Sequence, residues 1–372
     1  MSILTRSRLG RLSFLLFIIA VSGALILSFL VSCSINGGDD SPRNIILFIG
    51  DGMGEAQVKV GSYFATGMEA GLPFQQFPVR SVVTTYSADS PITDSAAAAT
   101  AMATGRKVNN GVLSVAIPGD GEPLETILEL SLKQGRRAGI VTTTSITHAT
   151  PAAFAAHQPS RTDGASIARD MLHGAKPDLL FGGGGEGMDP QMAQESGYRV
   201  ITDRESMLKL TFKDLPVSGQ FGTTHMPYES EGLGNLPHLS EMTQKAIDLL
   251  SQDPAGFFLV VEGGRIDHAA HRNDVQLLVG EVLEFSRAVE VALQWAEGDS
   301  HTLIVVTADH ETGGLEILHG ASQGQIPEVR WSTTGHTGIP VPLYAWGLGA
   351  CSFAPQLDNT EIHQRLKGCL LK

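Results

Sequence analysis

Four short apolar runs recur along the chain, at residues 45–49, 139–142, 257–261 and 303–307. Their β-rich composition and the longer stretches between them predict buried strands of a parallel sheet separated by helices. Leu278, Val282, Phe285 and Val289 recur at helical spacing and predict a packing helix over 275–295, with a second helix expected over 125–134. The pattern implies an α/β fold, a three-layer sandwich with a largely parallel central sheet. In such sheets ligands bind beyond the carboxyl ends of the strands. Each run here ends at or just before residues that ligate metals. Asp51 follows the first, and His148 and Thr150 lie a little beyond the second. Glu262, Asp267, His268 and His271 follow the third, and Asp309 and His310 close the fourth. This placement predicts one shared, multi-metal site at the C-terminal ends of the strands.

Charge changes the picture in one respect. A net charge of −13 over 372 residues argues against a nucleic-acid-binding surface. It leaves an anionic small substrate open, because bound divalent cations reverse the local sign of a site.

The N-terminus reads as a targeting segment. Arg6, Arg8 and Arg11 precede an apolar stretch over 12–31, which meets Leu30-Val31-Ser32-Cys33. A small residue before Cys33 at the end of the apolar run resembles a bacterial lipobox; the competing reading is a transmembrane anchor. The expected organisation is a lipoprotein signal peptide over 1–32 and a lipidated tether over 33–42 beginning at Cys33. A globular body over 43–372 follows, with a peripheral insertion near 187–237. The protein is then exported and lipid-anchored to a bacterial membrane, on the periplasm-facing side of the outer membrane. Cys351 and Cys369 are either bridged or two buried thiols.

The segment Thr93-Asp94-Ser95-Ala96-Ala97 opens an alanine-rich run, which favours a helix with Asp or Ser at its start. Ser95 is an ordinary cap in the bland reading. In the functional reading it is a nucleophile at a helix N-terminus, where free N–H groups suit a phosphate. Asp267 and His271 stand at i and i+4 and form a zinc-type triad with the distant His336. Asp309 and His310 suit a second metal beside Asp51, and Glu262 and Thr150 offer hard oxygens of the magnesium type. Two adjacent metals clamp the attacking and leaving oxygens of an in-line displacement. Arg161 has the planar fork that grips phosphate, and Asp94 can orient it by a salt bridge. The Gly182–Gly185 quartet follows an apolar run and reads as a strand-end turn, since no GxxxxGK[ST] accompanies it. Residues 50–54 fail GxGxxG, because the third glycine comes one position early.

The blocks Ile49-Gly50-Asp51-Gly52-Met53-Gly54, Thr93-Asp94-Ser95-Ala96-Ala97 and His148-Ala149-Thr150-Pro151-Ala152 resemble bacterial alkaline phosphatases. So do Glu262-Gly263-Gly264-Arg265-Ile266-Asp267-His268, Thr307-Ala308-Asp309-His310 and Gly335-His336-Thr337-Gly338, in the same order. The resemblance implies a phosphate monoesterase with Ser95 as the phosphorylated nucleophile and Arg161 as phosphate clamp. It implies two zinc ions, one on Asp267, His271 and His336 and one on Asp51, Asp309 and His310. A third, magnesium-type site falls to Asp51, Thr150 and Glu262. His148 and His268 stand where some members carry Asp and Lys, so the third site here can favour Zn or Co. The large crown-like insertion of some relatives is absent or reduced, which bears on whether a homodimer forms. The rival readings are a phosphodiesterase or sulfatase of the same superfamily and a non-catalytic phosphate- or metal-binding lipoprotein. No C/S-x-P-x-R follows Ser95, and the third-site residues are present, which argues against the first two.

Overall fold

Residues 41–371 are described by the computed structural model; the lipobox and the proposed signal segment lie outside them. Ten strands form the central sheet. In chain order they are β1 (Asn44–Gly50), β2 (Val79–Thr84), β3 (Arg137–Ser145), β4 (Leu179–Gly183), β5 (Arg199–Ile201), β6 (Val217–Gln220), β7 (Phe257–Gly263), β8 (Thr302–Ala308), β9 (Val341–Gly347) and β10 (Gln356–Asp358). They lie side by side as β10-β2-β9-β8-β1-β7-β3-β4-β6-β5. Only β9 runs against its neighbours. The four apolar runs become β1, β3, β7 and β8, adjacent at the sheet centre, and every residue of β1, β7 and β8 is buried. Burial on both faces is why these strands read as unbroken apolar runs.

Two sets of helices cover the sheet. Glu55–Thr66, Leu239–Leu250 and Val275–Ala296 pack together, and Ser95–Thr104, Ile127–Lys133, Ala149–Ala155 and Asn359–Leu370 form a second group. Leu278, Val282, Phe285 and Val289 are fully buried, as their helical spacing requires. Among the described residues no helix is long and apolar enough to cross a membrane. Residues 187–237 supply β5 and β6 to the sheet edge as well as irregular chain. Cys351 lies exposed in a short turn and Cys369 is buried in the last helix.

Candidate active site

Strand register gathers the carboxylates. Gly50 at the end of β1 faces Gly263 of β7 and Ala308 of β8, and Glu262 pairs with Ile49. Asp51 and Asp309 therefore leave neighbouring strands together, with Glu262 beside them. All three side chains are fully buried. The turn after β1 is held by Gly52, whose φ is +68° and whose N–H donates to Asp309 Oδ1 at 3.0 Å. A Cβ there would stand 2.7 Å from Asp267 Oδ1, so glycine is required twice over.

Buried like charges dominate the electrostatics. Burial, followed by the charges of Asp309, Asp267 and Glu262, pushes Asp51 well above the usual carboxylate range. Burial lifts Glu262 to about 7 against the pull of the Thr142 hydroxyl. Both carboxylate oxygens of Asp51, Asp309 Oδ2, Glu262 Oε1 and Thr150 Oγ1 are buried with no hydrogen-bond partner. Ionised oxygens in that state are costly unless a cation satisfies them.

A second argument comes from histidine tautomers. His336 Nδ1 faces Thr93 O at 2.9 Å and His271 Nδ1 faces Thr334 O at 2.5 Å. A carbonyl only accepts, so each Nδ1 carries the proton and each Nε2 of a neutral ring is a lone pair. Those two Nε2 atoms stand 3.2 Å apart, with Asp267 Oδ2 3.1 Å from His271 Nε2. Three acceptors converging on one point require a proton or a metal ion between them. The Asp267 hydrogen bond does raise His271 to about 9, and a divalent cation fits the same place. Burial opposes ionisation of Asp267, yet the hydrogen bond from His271 and the charge of His310 hold its carboxyl below the usual range. The His310 ring stacks on His336 at 3.6 Å. Ligand atoms lie within 4.8 Å of one another in three overlapping groups: Asp51–Asp309–His310, Asp267–His310–His336 and Asp51–His148–Glu262. The donor sets suit divalent metal ions.

Ser95 begins the helix Ser95–Thr104 and is 2% exposed. Asp94, not Ser95, is the cap, accepting from Ala97 N–H at 3.0 Å. The Ser95 hydroxyl therefore owes nothing to capping, and it lies 3.3 Å from His310 Nε2. Asp94 also accepts from Gly111 N–H and from Arg161 Nη1, each at 3.0 Å. Arg161 Nη2 lies 3.2 Å from His148 Nε2. Burial, then the charge of Arg161, holds His148 well below the usual imidazole range. His268 is pushed down to about 3 by burial and by Arg265, which sits 2.7 Å from its Nδ1.

Asp51, His148, Glu262, Asp267, Asp309, His310 and His336 thus come together in overlapping groups, with Ser95 and Arg161 in contact with two of their histidines. The sequence reading missed several others. Thr312 Oγ1 donates to Asp267 Oδ1 at 2.5 Å and lies 3.2 Å from His310 Nδ1, tying two metal-type residues together. Its position two residues after His310 was the available signal. Arg265, between Gly264 and Ile266, carries no metal-ligating group that would mark it. His225, whose ring lies 4.6 Å from that of His268, comes from the least legible segment and carried no signal at all.

The family model for alkaline phosphatase matches residues 42–326. Alkaline phosphatase 3 of Bacillus subtilis is 33% identical, covering 92% of this chain and 94% of its own. The cold-active alkaline phosphatase of a psychrophilic Shewanella superposes with a TM-score of 0.82 at 31% identity, over 88% of this chain and 100% of that one. The enzyme of the Antarctic bacterium TAB5 has been solved as a His-to-Asp variant with Mg in its M3 site. It superposes with a TM-score of 0.78 at 31% identity, over 89% of this chain and 98% of that one.

Proposed function

Because the chain belongs to the alkaline phosphatase family, whose members hydrolyse phosphate monoesters with bound metal ions, we propose that Ser95 is the nucleophile and carries the phosphoryl group as a phosphoserine. The observation that carries this reading is the placement of Ser95 Oγ. It sits at a helix N-terminus, 3.3 Å from His310 Nε2 and clear of any capping role. Helix N–H groups and the guanidinium of Arg161 supply positive charge to a bound phosphate. Asp94 holds that guanidinium in place by accepting from Nη1; a His148 that offers Nδ1 to a metal carries its proton on Nε2, which leaves the N–H groups of Nη2, 3.2 Å away, for phosphate oxygens.

Asp267, His271 and His336 would hold one zinc, and Asp51, Asp309 and His310 the other. Asp51, Thr150 and Glu262, with His148 close by, would hold a third ion of the magnesium type. Bound there, divalent cations supply positive charge where the attacking and leaving oxygens become negative. The M3-site Mg in the His-to-Asp variant of the TAB5 enzyme supports reading a histidine as a determinant of third-site occupancy. His148, with a buried Nδ1 that lacks a hydrogen-bond partner, is the candidate here. We assign His268, whose ring lies 5.7 Å from that of His148, to the phosphate environment beside that site.

The test is to quench a labelled phosphate monoester with wild type and Ser95→Ala at low pH. Label on Ser95 in wild type and none in the variant is expected; label on another residue sinks the assignment. A second part of the reading concerns location. Cys33 is the lipidated residue, and the protein is anchored by its lipid on the periplasm-facing outer membrane. A metabolic acyl label should disappear in Cys33→Ser, and its persistence contradicts the anchor.

A further inference from the structure

His225 reaches the site by an unusual route. It belongs to the loop after β6, and that loop is laid on the glycine quartet at the end of β4. Phe221 N–H donates to Gly182 O at 2.7 Å and Gly184 N–H to Gly222 O at 3.2 Å. A Cβ on Gly183 would stand 1.6 Å from Thr224 O, and one on Gly185 would stand 2.0 Å from Thr223 O. Only glycine permits this backbone-on-backbone approach, so the quartet is a bed for residues 222–225. The other side of the loop is tied to β3. Met226 N–H donates to Thr143 O at 3.0 Å, and Ser145 N–H donates to His225 Nδ1 at 3.0 Å. Ser145 is the last residue of β3, three positions before His148.

The seated ring meets two others edge-on. Its centroid lies 5.4 Å from His148 at 90° and 4.6 Å from His268 at 62°, while His148 and His268 are 5.7 Å apart. Such edge-to-face contacts fix ring planes. Each of the other two rings has one further polar neighbour, Arg161 Nη2 at 3.2 Å from His148 Nε2 and Arg265 Nη1 at 2.7 Å from His268 Nδ1. One such contact leaves a ring able to rotate; a second ring packed at right angles does not. His148 is the ring whose nitrogen lies within 4.8 Å of Asp51 and Glu262 oxygens.

We propose that His225 is a positioning residue. Clamped between the glycine bed and Ser145, it wedges His148 into the orientation that offers a nitrogen to the Asp51–Glu262 metal group. This rests on the third-site reading given above. Side chains that hold a ligand in place are typically worth roughly 10–100-fold in metal affinity.

The experiment measures bound metal directly. Wild type, His225→Ala, His225→Phe and His148→Ala are stripped, reloaded with zinc and then with graded Co or Mg. Metal content is read by elemental analysis, and folding by circular dichroism. His225→Ala should bind the third ion roughly 10–100-fold more weakly, matching His148→Ala. His225→Phe keeps the ring but loses the bond from Ser145 N–H, and should restore part of the loss. Third-ion binding unchanged in His225→Ala but weakened in His148→Ala overturns the wedge and leaves the third-site reading intact. Unchanged binding in both variants overturns the wedge and removes His148 from the third site as well. Failure of His225→Phe to rescue, with the fold intact, also refutes a role exerted through the ring.

Discussion

Truncating Arg161 tests the phosphate clamp most directly. The guanidinium is anchored by Asp94 Oδ2 at 3.0 Å and lies 3.2 Å from His148 Nε2, with its side chain 24% exposed. A partly sheltered, charge-assisted hydrogen bond to an anion contributes about 1.5–3 kcal/mol. At about 1.4 kcal/mol per decade, Arg161→Ala should weaken inhibition by inorganic phosphate roughly 10–150-fold. Asp94→Asn reports on the anchor. If its amide oxygen keeps the Ala97 cap, its NH2 group points at Arg161 and Gly111 N–H, two donors. The fold should lose about 1–2 kcal/mol from the unsatisfied Gly111 donor, and Arg161 should be released. Phosphate Ki and kcat/KM on a chromogenic monoester are then measured for both single variants and the double. If Asp94 acts through Arg161, the double variant should resemble Arg161→Ala, with a coupling of about 0.5–3 kcal/mol. An unchanged phosphate Ki in Arg161→Ala refutes the clamp, and strictly additive losses refute the anchoring role of Asp94.

Three further outcomes are expected. Chelation should lower the melting temperature and zinc should restore it, because Asp51, Asp309 and Glu262 leave buried oxygens without hydrogen-bond partners; calorimetry showing no change with chelator contradicts the metal-site reading. His148→Asp should shift third-site preference from Co towards Mg, since an all-oxygen set suits Mg; superimposable metal titrations of variant and wild type contradict this. Glu281, on the helix Val275–Ala296, makes the fold sensitive to pH. Burial, then the charges of Glu229 and Glu284, raises it from 4.5 to about 8, although its carboxylate accepts from Glu229 N–H at 2.8 Å. The native state keeps a proton that the unfolded chain releases, so this stability is present below about 4.5 and is lost as pH rises to about 8. The slope is at most about 1.4 kcal/mol per pH unit. Glu281→Gln should gain stability relative to wild type at pH 9 but not at pH 4, and denaturation profiles that run parallel at both pH values argue against it.

The sequence by itself determined the central strands and the metal-type residues at their ends. β1, β3, β7 and β8 are buried on both faces, so they had to be written as continuous apolar runs, and a polar residue ending such a run had to sit at the carboxyl end of a central strand. That made Asp51, Glu262, Asp309 and His310 visible. Asp267 and His271 were visible because helical spacing links them locally. The tertiary structure decided what depends on distant segments meeting. Register alone sets Asp51 beside Asp309, and the choice of Asp94 over Ser95 as the cap is a matter of backbone geometry that either residue type could satisfy. The role of Gly182–Gly185 was invisible for the same reason. A glycine shows that something must come close, and only the fold shows that it is the backbone of residues 222–225. Nothing local marks His225, because its ring is placed by contacts with strands that lie far from it in the chain.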